Sequence, residues 1–267
     1  MTANISEPTA PDQAAADAAA DGVLTAATTP GHLAHRPSSS HSIALMAEPG
    51  ALAAQQLGER RLIHRDASVR EQSDAFRGIR TRLLGLAGEE NFVTLVVAVS
   101  PRSGSSFVAR NLAAAFALDE AKTSLLIDCN LRYPEQHKAL GIDPHSGGLI
   151  DFLEHPLHGI KPMIYHTGIP RMRLIPAGKA RENSGEYFSS FRMRAVIDSL
   201  RCRYQDRYIF LDGPAVKGSP DARILSDLAD FVVLVAGYGR DTPQAISQAA
   251  ANFDPEKLAG VVLNHAP

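Results

Sequence analysis

Four polar groups in this chain each follow directly on an apolar run, and their types are those of nucleotide chemistry. They are Ser100 to Ser106 after FVTLVVAV, Asp128 to Arg132 after LLI, Asp212 to Pro214 after YIFL, and Asn264 after GVVL. In the first, SPRSGSSF (100–107), Gly104 precedes Ser105 and Ser106, and the helix-like run VARNLAAAFAL follows. The backbone N–H groups of such a turn, with the N-terminus of the helix behind them, attract phosphate oxygens without any side chain. Arg102, Ser103, Gly104, Ser105, Ser106 and Phe107 are therefore the candidate nucleotide-binding stretch, with the Ser106 hydroxyl as a ligand for Mg²⁺. A phosphate loop normally carries Lys just before its Ser/Thr. Ser105 stands there, and Arg102 is the cation within the loop, at a different position. The same stretch also reads as a plain strand-to-helix turn capped by serines.

The acidic groups extend the pattern. Asp128, in LLIDCNLRYPEQH, is a candidate general base or an Mg²⁺ ligand through water. Asn130 beside it is neutral and a poorer partner for a cation. Asp212, in YIFLDGPA, has the pattern of an acid facing Mg²⁺ behind a phosphate loop. Asp128 and Asp212 are thus the catalytic candidates, and Ser106, Asp128 and Asp212 the metal candidates. Each Asp also reads as a cap before a turn. Asn264 is placed to hydrogen-bond a base edge.

These groups need a scaffold that brings strand ends together, and the periodicity supplies one. Residues 71–87 read as an amphipathic helix with Ala75, Phe76, Ile79, Leu83 and Leu86 on its apolar stripe and Arg77, Arg80 and Arg82 off it. Apolar strand-like runs at 92–100, 123–130, 171–178, 207–214, 230–239 and 258–267 then alternate with helical runs at 105–121, 147–155, 191–204, 219–229 and 242–253. Such alternation predicts an α/β fold, P-loop NTPase-like, with a mostly parallel sheet covered by helices on both faces. Ligands in such sheets bind outside the carboxyl ends of the strands, where all four polar groups fall.

Residues 1–60 are expected to be a low-complexity tail, rich in Ala, Pro, Ser and Thr with few large apolar residues, carrying a short helix at 51–61; the folded domain is expected over 61–267. Apolar residues make up 45% of the 267, enough for a core, and the formal net charge of −2 gives no field that would favour nucleic acid. Two cysteines, Cys129 and Cys202, make no metal or disulfide pattern and fit a reducing compartment. No apolar run approaches the ~18 residues of a membrane span, and the N-terminus lacks the pattern of a secretion signal. The expectation is a cytoplasmic protein without a span of its own, held at the membrane by a partner if it works there.

In order and content these motifs resemble the bacterial tyrosine kinases (BY-kinases) of capsule and exopolysaccharide synthesis, relatives of the plasmid-partition and division-site ATPases. The resemblance runs from about Leu62 to Pro267 and is carried by DAFRGIRTRL, FVARNLAAAFA, LLIDCNLRYPEQHKALGI, GGLIDFL, RLIPAGKARENSGEYFSS, YIFLDGPAV, SPDARILSDLADFVVLVAGYGRDT and LAGVVLNHAP. It implies ATP with Mg²⁺ as cofactors. It places Gly104 and Ser106 on the Walker A loop, Asp128 and Arg132 on Walker A′, Asp212 on Walker B, and Asn264 where relatives hold adenine. Asp74, Arg77 and Arg80 fall on a helix through which family members associate, which implies self-association, and the implied partner is a membrane-embedded polysaccharide co-polymerase. The departures are Ser105 for the Walker A lysine, Arg102 for a loop glycine, Asn130 for a Walker A′ acid, and the lack of a C-terminal tyrosine cluster, the six tyrosines being scattered. They point to a degenerate member with weak or vestigial ATP binding. Two other readings stand beside it: an active ATPase or tyrosine kinase in which Arg102 substitutes for the lysine, and a positioning ATPase of the partition type.

Overall fold

A computed structural model describes residues 50–88, 90–156, 159–182 and 184–264. The residues 1–49 of the expected tail lie outside that description. Within it, strands β1 (Val93–Ala98), β2 (Thr123–Asp128), β3 (Tyr165–His166), β4 (Met172–Ile175), β5 (Arg207–Asp212), β6 (Phe231–Gly237) and β7 (Leu258–Asn264) form one sheet in the order β3-β4-β2-β5-β1-β6-β7. Every pairing is parallel except β3 with β4. β1, β2, β4 and β5 are buried at every residue, as strands covered on both faces must be.

The helices are α1 (Ala54–Glu59), α2 (Arg70–Ala87), α3 (Ser105–Ala117), α4 (Gln136–Ala139), α5 (Leu149–Glu154), α6 (Gly185–Phe188), α7 (Phe191–Arg203), α8 (Asp221–Ser226) and α9 (Pro243–Ala250). Two apolar layers follow from the period-2 alternation of the strands. On one face Leu112, Ala113 and Phe116 of α3, with Phe76 and Leu83 of α2, pack on Val96, Leu126 and Phe210. On the other, Val196, Ile197 and Leu200 of α7, Leu225 of α8 and Phe253 pack on Leu95, Ile127 and Leu211. Phe116 anchors an aromatic cluster on the first face, with ring centroids 5.8 Å from Phe92, 4.8 Å from Tyr208 and 5.1 Å from Phe210.

The small alanines of α3 let the helix lie close to the sheet, so its N-terminus is fixed against the end of β1. A fully buried Asn111 adds a polar anchor. Its side chain accepts from the Ile63 N–H at 2.8 Å and donates to the Arg61 and Phe107 carbonyls at 3.0 Å each. Residues 61–63 are thereby tied to the helix that carries the loop, and α1 packs its Leu57 on the same layer.

In α2 the burial departs from the expected stripe. Phe76 and Leu83 are buried and Ile79 half-buried, but Ala75 is exposed and Leu86 stands 51% exposed. The opposite displacement appears in the arginines. Arg80 donates to the Ala115 carbonyl at 2.8 Å and Arg82 to the Ala259 carbonyl at 2.6 Å. Their guanidinium groups satisfy carbonyls of neighbouring elements, a tertiary demand that apolar spacing does not register. The two-residue antiparallel strand β3 and the one-turn helices α4 and α6 are likewise too short to leave a periodic signal. Among the described residues no helix is long and apolar enough to cross a membrane.

Candidate functional site

The loop after β1 is held by the neighbouring strand ends. Arg102 and Gly104 both have left-handed backbones, with φ of +67° and +91°. Only glycine fits at 104, because a Cβ there would overlap the Asn264 amide nitrogen. That amide donates to the Ser103 carbonyl at 3.1 Å, clamping the loop from the end of β7. Ser103 is fully buried, and its hydroxyl donates to Asp241 at 2.7 Å. The same Asp241 oxygen accepts from the Gly237 N–H at 2.8 Å, and Arg240 donates to the Pro101 carbonyl at 3.0 Å. Neither Arg240 nor Asp241 was a sequence candidate. Both directly follow the run FVVLVAGYG, so the rule that polar residues after apolar runs face the site would have found them.

Asp128 and Asp212 stand opposite one another in the parallel register of β2 and β5, and both are buried. Asp128 accepts from the Asn130 N–H at 3.1 Å on one oxygen and from the Glu135 and Gln136 N–H groups at 3.2 and 3.1 Å on the other. Asp212 accepts from the Gln136 side chain at 2.6 Å, and its second oxygen has no hydrogen-bond partner among the described residues. Burial, reinforced by the Asp212 charge, pushes the Asp128 carboxyl up to about 8. Burial pushes Asp212 up to about 6 against the pull of Gln136 and the nearby Ser106 hydroxyl. Two carboxylates side by side in low dielectric cannot easily both ionise. Burial and the same two acids hold the Cys129 thiol well above its ordinary range.

Gln136 is the residue that sequence reading passed over. It is fully buried at the start of α4, and its amide nitrogen donates both to Asp212 and, at 2.9 Å, to the Ser106 carbonyl. It bridges the loop and the two acids. A polar side chain inside LRYPEQH carries no signal of its own, since surface loops are full of them.

Above this layer lies a cleft of about 790 Å³, walled by Arg102 to Phe107, by Asn130 to Tyr133 and by the segment Pro214 to Ser219. A second cavity of about 420 Å³ adjoins it, lined by Arg61, Gln72, Phe107 and Asn264 among others. Arg102, Gly104, Phe107 and Arg110 border both. Asn130 and Arg132 face the larger one, where Arg132 pairs with Glu182 at 3.0 Å. The sequence candidates therefore converge on one face of the sheet, except that Asp128 and Asp212 lie beneath the cleft rather than in its walls. Asp74, Arg77 and Arg80 belong to α2: Arg77 pairs with Asp74 at 3.0 Å on the exposed face, while Arg80 turns inward to Ala115.

A divalent cation in such a site is reached by one hydroxyl and one carboxylate, here Ser106 and Asp212. In this arrangement a Gln136 N–H covers one Asp212 oxygen, and Asp128 spends both of its oxygens on backbone N–H groups. As folded, the donor set does not fit a divalent cation. The cleft can still receive anionic oxygens on the loop N–H groups, with a planar group beside Phe107 and Asn264.

The chain is 31% identical over 194 residues to the tyrosine-protein kinase wzc of Salmonella typhimurium, covering 72% of this chain and 26% of that protein. It is 25% identical over 198 residues to the putative tyrosine-protein kinase CapB of Staphylococcus aureus, covering 73% of this chain and 85% of that one. Among solved structures it is similar to the kinase domain of VpsO, with a TM-score of 0.66, 25% identity, and coverage of 77% of this chain and 100% of that one. The cell-division ATPase MinD of Pyrococcus furiosus shares the fold at a TM-score of 0.51 and 21% identity, over 64% of this chain and 71% of that one. No family model matches the chain. The chain matches about a quarter of the length of wzc and similar curated relatives.

Proposed function

Because the chain belongs to the bacterial tyrosine-kinase family of exopolysaccharide and capsule synthesis, we propose that it works there as a degenerate, kinase-like nucleotide-binding domain. In this reading it associates with a membrane-embedded polysaccharide co-polymerase on the cytoplasmic side and regulates it, with weak or vestigial turnover of ATP. Homology to kinase domains is consistent with use of ATP and Mg²⁺. Arg102 to Phe107 would receive the phosphates, Asn264 and Phe107 the base, and the exposed Asp74–Arg77 pair a second copy.

One observation carries the reading: the loop keeps its backbone geometry, with Gly104 at φ +91° against Asn264, while Ser105 stands where phosphoryl transfer needs an ammonium. Phosphoryl transfer is chiefly positioning and charge neutralisation, and loss of one comparable donor costs about 3–4 kcal/mol of barrier. Incubation of the purified protein with labelled ATP and Mg²⁺ is expected to give little phosphotyrosine, while the protein co-purifies with the co-polymerase from detergent-solubilised membranes. Strong tyrosine phosphorylation abolished by Asp212→Asn overturns the degenerate reading. It would favour the active-kinase alternative, for which the position of Arg102 at the border of both cavities speaks. In that case Ser105→Lys changes turnover little.

A further inference from the structure

The cleft that lacks the loop lysine is not short of cations. Arg102, Arg110, Arg132 and Lys217 all border it. Arg132 is engaged with Glu182. Arg110 comes from α3, on one face of the sheet. Its guanidinium donates to the Ser106 carbonyl at 3.3 Å and lies 5.6 Å from the centre of the Phe107 ring, and its buried Nε has no hydrogen-bond partner. Asp212 and Glu135 lie in its field, but no ion pair to Arg110 forms among the described residues.

Lys217 approaches from the segment that leads to α8, on the other face. Backbone bonds from the N–H groups of Gly213 to Val96 (3.0 Å), Val216 to Ala98 (2.8 Å) and Lys217 to Val99 (3.1 Å) run that segment along the end of β1. Lys217 is thus fixed beside the residue that opens the loop. Its exposed ammonium has no acidic partner among the described residues. Cations that converge without partners raise the free energy of the empty cleft, and a bound anion lowers it.

The acids beneath the cleft are arranged in the complementary way. The Gln136 amide bridges Ser106 and Asp212, and its own carbonyl oxygen accepts nothing among the described residues. All three N–H donors to Asp128 come from the backbone around it. The carboxylate oxygens that would draw a divalent cation are turned to N–H groups instead.

We infer that the cleft binds the polyphosphate tail of a nucleoside di- or triphosphate without a divalent cation, with Arg110 and Lys217 supplying the positive charge and Gln136 occupying Asp212. This rests on the reading of the cleft as the family's nucleotide site, and adds where the charge resides.

The test is calorimetric titration of the full chain with inorganic tripolyphosphate, ADP and ATP, in excess Mg²⁺ and in EDTA. Equal affinity with and without Mg²⁺ is expected. Lys217→Ala, at an exposed side chain, should weaken ATP and tripolyphosphate about tenfold. Arg110→Met, which keeps the apolar stem over Phe107, should do the same. Ser105→Lys in the Lys217→Ala background should restore binding, and Gln136→Ala should make binding respond to Mg²⁺. Binding that requires Mg²⁺ in the unaltered protein, or that is untouched by both cation variants, overturns the inference, as does a complete lack of polyphosphate binding. Co-purification with the co-polymerase tests the family reading separately and is decided by neither result.

Discussion

Replacement of Gly104 by Ala probes the clamp between the loop and the end of β7. Two costs are expected. An L-residue at φ +91° carries backbone strain of about 2 kcal/mol. The new Cβ also displaces the Asn264 amide, and the hydrogen bond to the Ser103 carbonyl, 3.1 Å long, is lost at about 1 kcal/mol. The sum of about 3 kcal/mol corresponds to a fall in Tm of roughly 6–12 °C for a domain of this size. Asn264→Ala alone loses only the bond and costs about 1 kcal/mol. In the double variant the steric conflict is absent, the strain remains and the bond is already gone, so it should be no less stable than Gly104→Ala. That is a shortfall from additivity of about 1 kcal/mol in a double-mutant cycle read by urea denaturation. If the two effects add, or if Gly104→Ala melts with the unaltered protein, the clamp described here does not exist.

Two further substitutions test the layers beneath the loop. The Asp128 carboxyl, pushed up to about 8, keeps in the folded state a proton that an unfolded Asp releases near about 3.9. Its contribution is therefore full in acid and is lost as pH rises from there through 8, with Asp212 at about 6 adding to the decline. Asp212→Asn removes one member of the pair and should flatten the fall of Tm between about pH 5 and 8; an unchanged slope would disprove the coupling. Asn111→Ala strips the buried partner from the Ile63 N–H and from the Arg61 and Phe107 carbonyls. It should cost about 2–4 kcal/mol and speed amide exchange at residues 57–64, and normal protection there would contradict the anchoring role.

The parallel sheet was legible because it rests on long apolar runs. VTLVVA, TSLLID and RYIFLD are buried on both faces, and helices with clear caps and small residues separate them. The polar groups after those runs were legible for the same reason, since topology alone brings strand ends together. What escaped depends on single side chains crossing between elements. Arg80 and Arg82 read as a solvated basic face because period describes where apolar atoms go, not where a long guanidinium finds a carbonyl. Gln136 and Asp241 escaped because a loop Gln and a turn Asp are common on any surface, and only the fold turns them toward Asp212 and Ser103.

The same distinction governs how the lost lysine is to be weighed. A motif records a cation at a position in the chain, but a phosphate responds to charge at a distance, and the interaction falls with separation regardless of which residue supplies it. Ser105 empties one position. Arg110 is reached from there by one and a half turns of α3, and Lys217 by backbone pairing to Val99, so both stand beside the loop although neither is in it. The substitution of Ser for Lys therefore says that the ammonium has left its place on the loop, without showing that the cleft has lost its charge. What does change is geometry. A lysine on the loop moves with the phosphates it holds, whereas a guanidinium packed over Phe107 is fixed and an ammonium on the opposite segment can follow only part of the way. Charge arranged like this favours holding a polyphosphate over passing its terminal group along an in-line path, which is the behaviour a regulatory binding domain requires.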